Sequence, residues 1–91
     1  MVIGVLTSGD LGKDTLEKII LNFNVAFVLT DNNSPRILKI CEYNKIPFFK
    51  GNPRKGLGYN FIKNIEVDVI VSVNYLFLIE KDIIEHPKKL I

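Results

Sequence analysis

An α/β fold with a parallel sheet covered on both faces is what this 91-residue sequence predicts, and three observations predict it. Short β-branched apolar runs recur at residues 2–6, 25–30 and 67–73, and helical patterns separate them. The run at 67–73, Val-Asp-Val-Ile-Val-Ser-Val, is nearly unbroken, as expected where neither face of a strand can be left in water. Each turn between elements carries Gly, Asn, Asp, Ser or Pro.

The elements follow in order. Residues 2–6 form a first strand that ends in Thr7-Ser8-Gly9-Asp10 and turns into a helix, which Asp14 or a neighbour can cap. Leu16, Ile19, Ile20 and Phe23 fall at i, i+3, i+4 and i+7, one apolar stripe to lay on the sheet. Residues 25–30 are the second strand, followed by the turn cluster Asp31-Asn32-Asn33. Ser34 before Pro35 starts the second helix: the hydroxyl can accept from an orphan amide, and the proline ring is already set to a helical φ. Ile37, Ile40 and Cys41 form its buried face.

A third, shorter strand at 46–49 includes Pro47, which suits a sheet edge because it lacks a ladder donor. The loop at 50–56 is basic, and a third helix follows through Leu57, Phe61, Ile62 and Ile65, weakened at its start by Gly56 and Gly58. The fourth strand is 67–73, residues 80–85 form a short helix stopped before Pro87, and residues 88–91 begin a fifth strand. With right-handed crossovers these elements make a Rossmann-like three-layer α/β/α domain spanning residues 1–91, its mostly parallel sheet in the order 3-2-1-4 with the fifth strand cut short. That order sets the loops after strands 1 and 4 side by side, where open α/β sheets bind ligands.

Composition narrows the function. An apolar content of 47% and a charged content of 24% describe an ordinary globular chain. A net charge of +2, with twelve basic residues answered by ten acids, argues against a nucleic-acid partner. No apolar run approaches the roughly 18 residues of a membrane span, so no membrane partner is expected. The single cysteine, Cys41, and the lack of a charged segment leading into an apolar one point to the cytoplasm.

The motifs are sparse. Gly4, Gly9 and Gly12 lack the G-x-G-x-x-G spacing, so a dinucleotide fingerprint is absent, and no metal-ligand spacing exists. Lys50, Arg54 and Lys55 around Gly51 suit either a phosphate or plain solvent. His86 reads as a surface or helix-end residue, and Cys41 as a small core residue with no base nearby in sequence. The unusual feature is the loop after strand 4, where Asn74 permits a sharp turn and Tyr75, Leu76, Phe77, Leu78 and Ile79 follow in place of polar residues. These side chains either pack under the next helix or wall a flat organic ligand at the crevice.

Three stretches carry a resemblance: Val-Leu-Thr-Ser-Gly-Asp at 5–10, the run from 67 to 79, and Asp-Ile-Ile-Glu-His-Pro-Lys-Lys at 82–89. Together they resemble the N-terminal half of the formyltransferase family, most closely its sugar N-formyltransferases. The resemblance implies transfer of a formyl group from N10-formyltetrahydrofolate to an amine. It implies that Asn74, Tyr75, Leu76, Phe77 and Leu78 line the pterin pocket, and that Ser8, Gly9 and Asp10 face the small-molecule acceptor. The glycine-rich phosphate loop of the purine enzyme is not reproduced after Gly9, which favours a nucleotide-linked amino sugar as acceptor.

In that family the catalytic Asn, His and Asp lie on the fifth strand and beyond it, and His86 is upstream of the motif position. The resemblance therefore implies no catalytic residue within residues 1–91 and no turnover by this stretch alone. Two other readings stay open: a stand-alone Rossmann-like module binding a small molecule or nucleotide without catalysis, and a bare structural fragment. A fourth strand with no full-length fifth beside it further predicts self-association through the sheet edge.

Overall fold

The computed structural model describes residues 1–87, and residues 89 and 90 in their backbone. The element order is β1 (Val2–Thr7), α1 (Gly9–Asn22), β2 (Asn24–Thr30), α2 (Pro35–Tyr43), β3 (Phe48–Lys50), α3 (Leu57–Ile62), β4 (Val69–Val73), α4 (Lys81–Ile84) and β5 (Lys89–Leu90). Among the described residues the strands form one sheet in the order β3-β2-β1-β4-β5, every neighbouring pair parallel. The Rossmann-like arrangement expected from the sequence is the one observed, with β1 and β4 adjacent in register from Ile3↔Val69 to Thr7↔Val73.

Two cores sandwich the sheet. On one face Leu16 of α1 and Ile37 and Cys41 of α2 pack with Ile3, Val5, Val25 and Val28. On the other, Ile62 of α3 and Ile83 of α4 pack with Leu6, Phe27, Leu29 and Ile70. Val25 and Val28 share a face although they are three residues apart, which strict alternation forbids. The β1–β2 register shifts between Ile3 and Gly4, an irregularity that lets Ala26 and Phe27 turn to the same core. Phe27 needs that room: a Cβ at Gly4 would stand 2.2 Å from the tip of its ring.

Several local expectations are corrected by the packing. Asp14 lies inside α1 and caps nothing; the N-cap is Ser8, in extended conformation. Phe23 is not on the buried stripe but is the C-cap residue and 46% exposed, because β2 begins at Asn24 and turns the chain away. The third strand starts two residues later than the apolar pattern suggests, at Phe48, since Ile46 is spent in the core under α2. Residues 67 and 68 precede β4 rather than opening it, although Val67 is buried. Beyond the sequence expectation, β5 pairs with β4 at Val69↔Lys89 and Ile70↔Leu90, covering the first two residues of that edge. Among the described residues no helix is long and apolar enough to cross a membrane.

Candidate functional site at the carboxyl edge of the sheet

The switch in strand order lies between β1 and β4, and three hydrogen bonds close it. Thr7 Oγ1 donates to the Val73 carbonyl at 2.7 Å, Asn74 Nδ2 donates to the Ser8 carbonyl at 2.9 Å, and the Leu76 amide donates to Ser8 Oγ at 3.3 Å. Asn74 can make its bond because it adopts φ +56°, a left-handed turn that asparagine tolerates and β-branched residues do not. Gly9 opposes it with φ +72°, and a side chain there would sit 3.5 Å from Asn74 Nδ2. The two loops marked from the sequence, 8–10 and 74–78, therefore form one unit.

Within that unit the side chains divide by exposure. Ser8 is buried, whereas Gly9 and Asp10 are exposed, and Asp10 reaches Arg36 at 3.4 Å in a solvated pair that contributes little to stability. Tyr75, Phe77 and Ile79 are half-buried, while Leu76 is 66% and Leu78 92% exposed. Neither of the two alternatives for this loop holds for every residue: Tyr75 and Ile79 pack against the core under α4, and Leu76 and Leu78 stand out of it. The Tyr75 and Phe77 rings meet edge to face with centroids 5.7 Å apart, which fixes the shelf from which the leucines project.

A second group was not legible as a site. Asp31 and Ser34, read from the sequence as a turn residue and a helix start, are both buried at the carboxyl end of β2. Asp31 Oδ1 accepts from the Asn33 amide at 2.7 Å and from Ser34 Oγ at 2.9 Å. Ser34 Oγ in turn accepts from the Gly9 amide at 3.0 Å. The Ser34 hydroxyl does take an orphan helix amide, as its position predicts, but that amide opens α1 and not its own α2. Burial, and next the Asp31 charge, push the pKa of the Tyr75 phenol up. Its hydroxyl and Thr30 Oγ1 are buried without a hydrogen-bond partner among the described residues. An acid directly after the second strand was the available signal, but no linear spacing brings residues 31–34 to Gly9.

The remaining candidates resolve differently. The amides of Lys55 and Gly56 in the basic loop both donate to the Glu80 carboxylate, each at 3.1 Å, so the anion held by that backbone is the protein's own. His86 is half-buried with Nε2 2.7 Å from the Ile65 carbonyl, joining the end of α4 to the chain after α3. Cys41 is fully buried, and that burial, with Glu42 nearby, pushes its thiol up to about 12, far from nucleophilic use at neutral pH. A groove of about 380 Å³ between α1 and α2 is lined by Ile20, Leu21, Lys39, Ile40 and Tyr43, at the opposite ends of those helices from Gly9 and Pro35.

Fold and site thus define a doubly wound α/β chain with a partly apolar, partly polar crevice at its switch point. Neither family models nor curated proteins give a match to the chain.

Proposed function

We propose that residues 1–91 form the folate-facing half of a formyltransferase site, one that moves a formyl group from N10-formyltetrahydrofolate to an amino group, in our reading that of a nucleotide-linked sugar. The observation that carries this is the exposed apolar shelf at the β1/β4 switch: Leu76 and Leu78 stand in solvent beside the acceptor-facing loop to which their own loop is hydrogen-bonded. Exposed leucines on a loop fixed by Asn74 and by the Tyr75–Phe77 ring contact suit a flat pterin better than they suit water. The resemblance of residues 5–10, 67–79 and 82–89 to the family supplies the identity of the donor.

When bound, the cofactor supplies the activated formyl group; this chain's residues bind and orient. Asn74, Tyr75, Leu76, Phe77 and Leu78 hold the ring system, and Ser8, Gly9 and Asp10 face the acceptor. Formyl transfer also requires a base to deprotonate the amine and a donor to hold the developing oxyanion. The Asn, His and Asp that do this in the family have no counterpart within residues 1–91, so we expect these residues by themselves to bind without turnover. A cytoplasmic setting belongs to the same reading, supported by the single cysteine.

Calorimetric titration with 5-formyltetrahydrofolate, a stable relative of the donor, tests the proposal. Leu76→Ser and Leu78→Ser should leave the unfolding free energy within about 0.5 kcal/mol, because the side chains are exposed, yet weaken binding by about tenfold. Folate binding unchanged by both substitutions, or absent from the wild type, removes the proposal.

A further inference from the structure

We propose that the groove between α1 and α2 is a ligand site that takes a small apolar molecule carrying a single carboxylate. It lies at the far ends of those helices from Gly9 and Pro35, away from the β1/β4 switch, and the inference does not depend on the formyltransferase reading.

Tyr43 is 89% and Leu21 83% exposed, and among the described residues only Leu78 is a more exposed large apolar side chain. The two stand on neighbouring helices and line one groove of about 380 Å³, together with Ile20 and Ile40. Those isoleucines are half-buried and pack against the core beneath α1 and α2, so the groove has a fixed apolar floor between two walls that face water. A ligand seated there removes from water apolar surface of all four side chains. The volume falls within the range of small-molecule sites, about 300–1,000 Å³. Seven residues line it, against roughly 20–30 on each side of a stable protein interface, so a small molecule suits it better than a second copy of the chain.

The rim selects the ligand's charge. Glu17 on α1 and Lys39 on α2 both line the groove. Lys13 holds Glu17 at 2.9 Å along α1, whereas Lys39 has no ion pair among the described residues. An ammonium donates and cannot accept, so a carboxylate answers the one unmatched charge on the rim. A cationic ligand would face Lys39 and compete with Lys13 for Glu17. A neutral one would cover the Lys39 stem and leave its charge unanswered.

The test uses the full 91-residue chain and nuclear magnetic resonance titrations with naphthalene-2-carboxylate and octanoate. Naphthalene-2-carboxamide is the neutral control of the same shape, and 2-naphthylmethylammonium the cationic one. A carboxylate should shift the amides of residues 17–21 and 39–44 and leave those of 31–34 and 74–78 in place. It should bind about fivefold more tightly than the carboxamide, the size expected of one exposed ion pair, and the ammonium should bind most weakly. Lys39→Gln should erase the preference for the carboxylate over the carboxamide. Leu21→Ser and Tyr43→Ser should each weaken every aromatic probe by about tenfold while holding the Tm within about 4 °C, because both side chains are exposed.

No shift with either carboxylate overturns the inference, as do shifts centred elsewhere, equal binding of carboxylate and carboxamide, or a preference that survives Lys39→Gln. So does movement of the same amides with protein concentration alone, abolished by Leu21→Ser, since a second copy would then fill the groove.

Discussion

A single added methyl group at Gly4 would stand 2.2 Å from the Phe27 ring tip and within 2.7 Å of its neighbouring carbons. Phe27 is fully buried in the core under α3 and α4, where close packing resists displacement of the ring. Gly4→Ala should therefore destabilise by about 1–3 kcal/mol in urea unfolding, and Phe27→Leu in the same chain should recover part of that loss. An additive double variant would show that the clash is not the cause. Thr30→Val makes the opposite prediction: it replaces the orphan hydroxyl with a methyl of similar size and should stabilise by about 1 kcal/mol in the same measurement.

Cys41 sets a pH dependence. Burial raises its folded-state pKa from an ordinary 9.0 to about 12, so the native state keeps the proton that the unfolded state gives up. The contribution is complete below pH 9 and is lost as the pH rises toward 12; Tyr75, also shifted upward, acts in the same direction. Unfolding free energy measured across this window should decline, and Cys41→Ala should flatten the slope. A Cys41→Ala curve parallel to wild type would show that the thiol is not responsible.

At the scale of elements, Glu80 does the most for its size. Its carboxylate takes the Lys55 and Gly56 amides at the start of α3, while its carbonyl accepts from the amides of Ile83 and Ile84 in α4. This clamp offsets the weakness that Gly56 and Gly58 give to α3. Glu80→Ala should cost about 1–2 kcal/mol and speed amide exchange at residues 55 and 56, with Glu80→Gln losing less because one acceptor oxygen survives. Equal losses for the two variants would show that the carboxylate's charge, rather than its acceptor geometry, holds the loop. The helices themselves were legible, since Leu16, Ile37 and Cys41 keep helical spacing on buried faces. Their caps were less so: Ser8 and Ser34 both start helices, but neither side chain caps its own helix, and both bond across to another loop. Capping preferences describe a residue and the turn that follows it, and they carry no information about a neighbour 25 or 68 positions away.

For the whole molecule, assembly turns on the outer edge of β4. β5 covers β4 only at Val69 and Ile70, leaving Val71 to Val73 without a paired outer strand among the described residues. Backbone donors and acceptors along such an edge template further pairing, and we expect the 91-residue chain to self-associate through it. Light scattering across a concentration series checks this; a mass that stays monomeric at the highest concentration removes the expectation.

The α/β class, the strand order and the two apolar faces were legible before folding, because hydrophobic periodicity and crossover handedness are local or nearly universal constraints. It also located the apolar loop at 74–79, since five nonpolar residues after a turn-forming asparagine conflict with ordinary loop composition. The packing of the chain settled which of those side chains point outward, that β2 slips by one residue against β1 at Ala26 to admit Phe27, and that Asp31 and Ser34 meet Gly9 while Leu76 meets Ser8. Those outcomes depend on strands 2, 1 and 4 lying next to one another, and contacts between residues some 25 to 70 positions apart form only when the sheet brings their ends to one edge.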